Sequence, residues 1–246
     1  MSPSKPIRAV MFDLDGTLLD TAPDFIVVLN QLLEENQRPA LPADLIRASV
    51  SNGARALVSL GFGIDDQDPH FERLRVRLLE LYALHIAVHT QLFPGINELL
   101  SKLQQHNIAW GIATNKPSAY THQLLKALPI QPPPISIICP EDVKQRKPHP
   151  ESMFLASQHV GCQPDEIVYI GDHKRDIDCG REAGAITIAA AYGYIEAEDN
   201  IDNWQADYCV NHADEIWPIL ENLMIASRQL VRSDSGTSET AGHMEN

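Results

Sequence analysis

The chain has 246 residues, enough for one large domain or a core carrying a smaller insert. Hydrophobic residues make up 44% and charged residues 21%, the balance of a soluble globular protein. The net charge of −14 argues against nucleic acid, whose phosphates need clustered Lys and Arg, but not against a small phosphorylated metabolite, since a few cations and a metal can invert the field locally. Met1 to Pro6 runs straight into an apolar strand, Arg8 to Phe12. Asp13 and Asp15 break that strand, which makes it neither a signal peptide nor a membrane span. From about Asp20 to Leu92 the period is helical (Phe25, Val28, Leu29, Leu32, Leu33; then Leu74, Leu78, Leu81, Leu84), with breaks at Pro39, Pro42 and Gly61 to Asp68 and no convincing strand. Pro94-Gly95 marks the return to the first pattern. Short apolar runs at 109–113, 135–139, 167–170 and 185–189 then alternate with helical stretches at 118–128, 151–160 and 176–183, and Gly184 stands where a left-handed C-cap is expected. Tyr208 to Val210 adds a sixth strand.

Strands alternating with helices predict an α/β doubly wound parallel sheet with an all-helical insert. The expected division is a core of residues 1–19 and 93–227, an insert of 20–92, and a Ser- and Thr-rich tail of 228–246. Cys139, Cys162, Cys179 and Cys209 form no CxxC pair and read as buried free thiols, which suits a reducing cytoplasm.

The sharpest chemical signal is Phe12-Asp13-Leu14-Asp15-Gly16-Thr17. Residues two apart on a strand share a face, so Asp13 and Asp15 are expected side by side at the carboxyl end of a buried strand, where open α/β sheets place their ligands. Two carboxylates there repel unless a cation or a shared proton relieves them. Taken alone, the pattern is equally that of acids in an Asx-type turn. Three further segments tip the balance. Thr114-Asn115 ends the second core strand, with a hydroxyl and backbone N–H groups able to hold phosphate oxygens. Lys147 sits in Lys147-Pro148-His149-Pro150, a loop entering a helix. Asp172 and Asp176 stand four apart after the fourth core strand, at spacing that puts both on one helical face.

These four segments, in this order, resemble the motif set of the haloacid-dehalogenase superfamily over nearly the whole chain. The resemblance implies a helical cap over a Rossmann-like core and a Mg²⁺-dependent phosphomonoesterase. Asp13 would be the nucleophile that forms an aspartyl-phosphate, and Asp15 the general acid and then base. Thr114, Asn115 and Lys147 would bind the phosphoryl group. Mg²⁺ would be held by Asp13, the Asp15 backbone carbonyl and Asp172, with Asp176 further out. Asp15 argues against dehalogenase chemistry, and Phe25, where the related mutases carry His, argues against mutase action. A cap inserted after the first motif, with Thr114-Asn115-Lys116-Pro117 and Lys147-Pro148-His149-Pro150, resembles the phosphoglycolate phosphatase branch. Ser51 to Leu57, Ala87-Val88-His89, Trp110-Gly111, Ile138-Cys139-Pro140 and Tyr192-Gly193-Tyr194-Ile195 resemble a subgroup that acts on N-acetylmuramic acid 6-phosphate in peptidoglycan recycling. That resemblance implies a substrate carboxylate, for which Arg55 is the expected contact because a guanidinium fork suits it. A phosphate-binding regulatory module without turnover is the distant alternative, weakened by the presence of both Asp13 and Asp15. A nucleotide-dependent enzyme would need a Gly-rich fingerprint after a strand, and the sequence has none.

Overall fold

Ala9–Phe12 forms β1 at the centre of the computed structural model, which describes residues 5–236. The chain leaves β1 through a tight turn into β2 (Leu19–Asp20) and then four helices, α1 (Ala22–Glu35), α2 (Ala43–Ser49), α3 (Gly53–Phe62) and α4 (Phe71–His85). β3 (Gln91–Leu92) returns antiparallel to β2, pairing Leu19 with Leu92 and Asp20 with Gln91. This ribbon ties together both ends of the helical insert. The sequence reading holds no strand there, because two residues are too few to show alternation.

The core then runs α5 (Ile96–Gln105), β4 (Ala109–Ala113), α6 (Ser118–Ala127), β5 (Ser136–Ile138), α7 (Glu151–Val160), β6 (Ile167–Gly171), α8 (Lys174–Ala183), β7 (Ile186–Ala190), β8 (Tyr208–Val210) and α9 (Ile216–Gly236). The six long-range strands form one parallel sheet in the order β5-β4-β1-β6-β7-β8. The doubly wound parallel sheet expected from the alternating pattern is what forms. β1 and β6 are buried along their whole length, since helices cover both faces of a parallel sheet. Alternate residues of β1 supply the two layers. Val10 and Phe12 pack with Leu99, Leu103 and Leu220 of α5 and α9, while Ala9 and Met11 face Met153, Ala156 and Cys179 of α7 and α8. The strand order reverses between β1, which leads on to β4 and β5, and β6, which leads on to β7 and β8, so the carboxyl ends of β1, β4 and β6 open on one crevice.

In the insert, α1 buries Phe25, Val28, Leu29, Leu32 and Leu33 against Leu74, Leu78, Leu81 and Tyr82 of α4. Leu84, expected on the same face, is 82% exposed, and Tyr82 takes its place. Tyr82 is four residues beyond Leu78, whereas Leu84 lies six beyond it, on the far side of the helix. Gly184 caps α8 with φ +85, as expected. α9 continues through Arg228 to Gly236, past the point where the sequence reading begins the tail; Arg228-Gln229-Leu230-Val231-Arg232 is good helix-forming sequence. Residues 237–246 of that segment lie outside the described residues. The cysteines are free, but Cys162 is only partly buried, and Cys209 is exposed because edge strand β8 turns only one of its faces to the core. Among the described residues, no helix is long and apolar enough to cross a membrane.

Candidate active site

The Asp13 N–H donates to the Ile170 carbonyl (2.8 Å), which carries the β1–β6 ladder one residue beyond the strand and fixes the Asp13 side chain at its carboxyl end. Two residues later Gly16 adopts φ +86, and its N–H donates to Leu19 O (2.9 Å), closing the turn that carries Asp15. Both carboxylates line one cavity of about 410 Å³, but each faces a different cation. Asp13 Oδ1 accepts from Lys147 Nζ (2.9 Å). Asp15 accepts from Lys116 Nζ at 2.9 and 3.2 Å and from Thr21 Oγ1 at 2.6 Å. Two lysines therefore moderate the repulsion expected between the two acids.

Lys147 is 3% exposed and also contacts Asp176 Oδ1 (2.6 Å), the Ala113 carbonyl (3.0 Å) and Tyr169 Oη (2.9 Å). Burial alone would lower its pKa; the adjacent charges of Asp13 and Asp176 outweigh that and raise it, so the ammonium is permanent. The Asn115 side chain donates to the Lys147 carbonyl (3.1 Å), so it braces the lysine's loop. Thr114 Oγ1 accepts from the Lys116 N–H (3.1 Å), which leaves its own hydrogen to donate into the cavity.

Carboxylate oxygens of Asp13, Asp172 and Asp176 lie within 4.8 Å of one another, and all three residues are buried. Asp172 does not sit on the helix, as the spacing suggests; it ends the β6 exit, and α8 begins at Lys174 behind the cap residue His173. Convergence comes from the strand-to-helix turn. Asp172 accepts from Thr17 Oγ1 (3.2 Å), Ser51 Oγ (2.9 Å) and the Tyr194 N–H (2.9 Å). Burial, then the charges of Asp13 and Asp176, push its pKa up to about 8. Asp13 is raised as well, first by burial and against the pull of Lys147. The backbone closes tightly around this cluster: a Cβ on Gly16 or on Gly193 would overlap the Asp172 side chain. An all-oxygen set of crowded, buried carboxylates with no room for larger neighbours fits a hard divalent cation of the Mg²⁺ kind.

His173 lines the cavity with its pKa lowered to about 4, by burial and then by Arg175. It is neutral, and its Nδ1 accepts from the Arg175 N–H and Nε–H (3.1 Å each). Arg175 in turn donates to the Ser51 carbonyl and the Asn52 side chain, latching the insert to α8. Arg55 also lines the cavity, with its guanidinium paired to Asp66 (2.7 Å) and over the Phe71 ring. Its side chain is 58% exposed.

Lys116 and Ser51 are functional candidates that sequence reasoning left unassigned. Both stand in quoted stretches, but only the fold brings Lys116 to Asp15 and Ser51 to Asp172. The insert supplies the rest of the Lys116 cage. Tyr82 Oη lies 2.8 Å from Nζ, and the stacked rings of Tyr82 and Phe25 flank the ammonium at 4.7 and 5.2 Å. Tyr194 is buried at the junction, its hydroxyl donating to Asp20 Oδ1 (2.8 Å) and accepting from the Ala22 N–H (2.9 Å).

The haloacid dehalogenase-like hydrolase family profile matches residues 10–190, which span every segment of this site. The chain belongs to that family. Over 218 residues it is 43% identical to an N-acetylmuramic acid 6-phosphate phosphatase of Pseudomonas putida, covering 89% of this chain and 98% of that protein. The corresponding Pseudomonas aeruginosa phosphatase is 39% identical, with 89% and 96% covered. A phosphoglycolate phosphatase of Xanthomonas campestris is 37% identical over 210 residues, with 85% and 95% covered. Among solved structures, a haloacid dehalogenase-like family hydrolase of Streptococcus pneumoniae superposes with a TM-score of 0.74 at 25% identity, covering 87% of this chain and 98% of that one. In this family member, the four sequence motifs converge on the crevice at the carboxyl ends of β1, β4 and β6.

Proposed function

We propose that this family member is a cytoplasmic, Mg²⁺-dependent phosphatase that hydrolyses N-acetylmuramic acid 6-phosphate in cell-wall recycling. The observation that carries the chemistry is the Asp13 carboxylate, fixed at the end of β1, charge-paired with Lys147 and open to a cavity. A carboxylate so placed attacks the phosphorus atom. The P–O bond to the sugar breaks as the Asp13–phosphoryl bond forms. Asp15, on the same cavity wall, gives its proton to the departing alkoxide and then takes one from the water that splits the aspartyl-phosphate. Lys147 and the Thr114 hydroxyl hold the transferring oxygens, with Asn115 bracing the Lys147 loop. Asp13, Asp172 and the Asp15 backbone carbonyl would hold Mg²⁺, with Asp176 outside them. Bound there, the cation supplies positive charge that offsets the repulsion between the nucleophile and the phosphate dianion.

Residues 20–92 act as the cap that chooses the leaving group. The motif residues grip only the phosphoryl group, while Phe25, Val50 to Arg55, Arg75, Leu79 and Tyr82 of the insert wall the rest of the 410 Å³ cavity. That volume suits a sugar better than the two-carbon phosphoglycolate. Arg55 at the rim is placed to exchange its exposed pairing with Asp66 for a substrate carboxylate. The relatives named for N-acetylmuramic acid 6-phosphate are also more similar than the Xanthomonas one named for phosphoglycolate. Phosphoglycolate is the second reading, favoured by that 37% identical relative. Phosphate release from both substrates decides between them. The expected result is a higher kcat/KM for the sugar phosphate, lowered roughly 10- to 100-fold by Arg55→Ala, the loss of one charge-assisted hydrogen bond. Wild-type preference for 2-phosphoglycolate overturns the substrate assignment and leaves the phosphatase chemistry intact.

A further inference from the structure

His89 belongs to a stretch that the catalytic site does not use, and its neighbourhood holds a second group of metal-binding side chains. Asp24 stands in the first turn of α1, His85 ends α4, and His89 lies in the loop that leads into β3. One ligand atom from each falls within 4.8 Å of the others. Asp24 is fully buried, and among the described residues no Lys or Arg pairs with it. Its oxygens accept from the His89 N–H (2.8 Å), the Thr90 N–H (3.2 Å) and the Thr90 hydroxyl (2.6 Å). Those bonds hold the loop over the carboxylate, and the loop turns through Ala87 at φ +62, a left-handed conformation that residues other than glycine rarely adopt.

His85 Nε2 is the one buried side-chain nitrogen or oxygen without a hydrogen-bond partner among the described residues. It lies 3.9 Å from Asp24 Oδ1, too far for a hydrogen bond. Two ligands of one tetrahedral Zn²⁺, each about 2.1 Å from the ion, stand about 3.4 Å apart, so an inward shift of about half an ångström brings this pair onto a shared cation. The His89 ring is 5.6 Å from that of His85, centroid to centroid, and it sits on an exposed loop residue that can close the remaining distance. Two imidazoles and one carboxylate select a borderline transition-metal ion, whereas the all-oxygen catalytic cluster selects Mg²⁺.

We propose that Asp24, His85 and His89 form a second cation site, for Zn²⁺, that clamps the base of the cap. The three ligands come from the segments flanking the β2–β3 ribbon through which the insert joins the core. A bound ion cross-links α1, the end of α4 and the loop, and so stiffens the joint about which a cap would open. The site shares no residue with the catalytic cluster.

The test uses the full chain with Mg²⁺ present. Equilibrium dialysis against Zn²⁺ should leave one more ion per chain on wild type than on His89→Gln or His85→Gln. Co²⁺ as a probe should give the visible ligand-field bands of a low-coordinate nitrogen-containing site. Those bands should vanish in His89→Gln and persist in Asp172→Asn. His89 is exposed, so its variant folds even if the His85 one does not. Equal Zn²⁺ content in wild type and His89→Gln overturns the proposal, as do bands lost only in Asp172→Asn. Either result leaves Asp24 and His85 as neighbours that share no ion.

Discussion

Replacing Lys116 with methionine removes an ammonium that joins the proposed acid–base residue to the cap, and the structure sets the size of the effect. Lys116 Nζ makes two contacts with Asp15 and one with Tyr82, and its side chain is 6% exposed against 16% for Asp15. Breaking a buried ion pair by removing one partner costs about 3–5 kcal/mol. Asp15 faces the cavity, where water can reach it, so the lower figure of about 3 kcal/mol applies. Expressed in the transition state, that is roughly a 100-fold loss of kcat, within the ~10²–10⁴-fold range of general acid–base catalysis. Tyr82→Phe deletes only the hydrogen bond to Nζ and keeps the ring, so it should cost about 1 kcal/mol, roughly a fivefold effect. The assay compares a sugar phosphate with p-nitrophenyl phosphate, whose leaving group departs without a proton. The Lys116→Met enzyme should still release one rapid equivalent of nitrophenolate and then turn over slowly, because Asp15 is needed again only to activate water. If the folded variant keeps kcat on the sugar phosphate within threefold of wild type, Lys116 does not position Asp15. An equal loss of the rapid phase on both substrates would place its effect in folding or cap docking.

Asp13→Asn should fold with an unchanged far-UV circular dichroism spectrum and lose phosphate release by several orders of magnitude, since the amide cannot serve as an anionic nucleophile; activity above about a tenth of wild type would sink the covalent mechanism. EDTA should abolish turnover and Mg²⁺ restore it. Mg²⁺ at about 100 times its Kd should also stabilise the stripped protein by about 2.7 kcal/mol, roughly 5–10 °C in Tm for a chain of this size, and Asp172→Asn should lose most of that rise. Gly193→Ala puts a methyl group into the Asp172 side chain and should raise the Mg²⁺ concentration for half-activity several-fold, measured on protein with normal circular dichroism. An unchanged Mg²⁺ requirement would separate that loop from the metal cluster.

The core was legible in the residues themselves. Parallel strands buried on both faces are continuous apolar runs, so β1, β4, β6 and β7 stand out in composition, and the acids after β1 and β6 and the threonine after β4 mark their carboxyl ends. The helical insert was legible too, because amphipathic periodicity is a local property. What the sequence could not carry was anything that depends on partners far along the chain. The β2–β3 ribbon joins Leu19 to Leu92, and two-residue strands have no pattern of their own. Asp172 and Asp176 look like neighbours on one helix, yet Asp172 precedes the helix and meets Asp176 through the turn after β6. Lys116 stands in Thr114-Asn115-Lys116-Pro117 with no role of its own until the sheet order sets it beside Asp15, 101 residues earlier, and the insert closes Phe25 and Tyr82 around it. Local sequence determined which elements form and which side chains can do chemistry. The tertiary structure decided which carboxylate faces which cation, because an electrostatic partner is chosen by distance in space, and that distance is set by the order of strands in the sheet and by the docking of the cap.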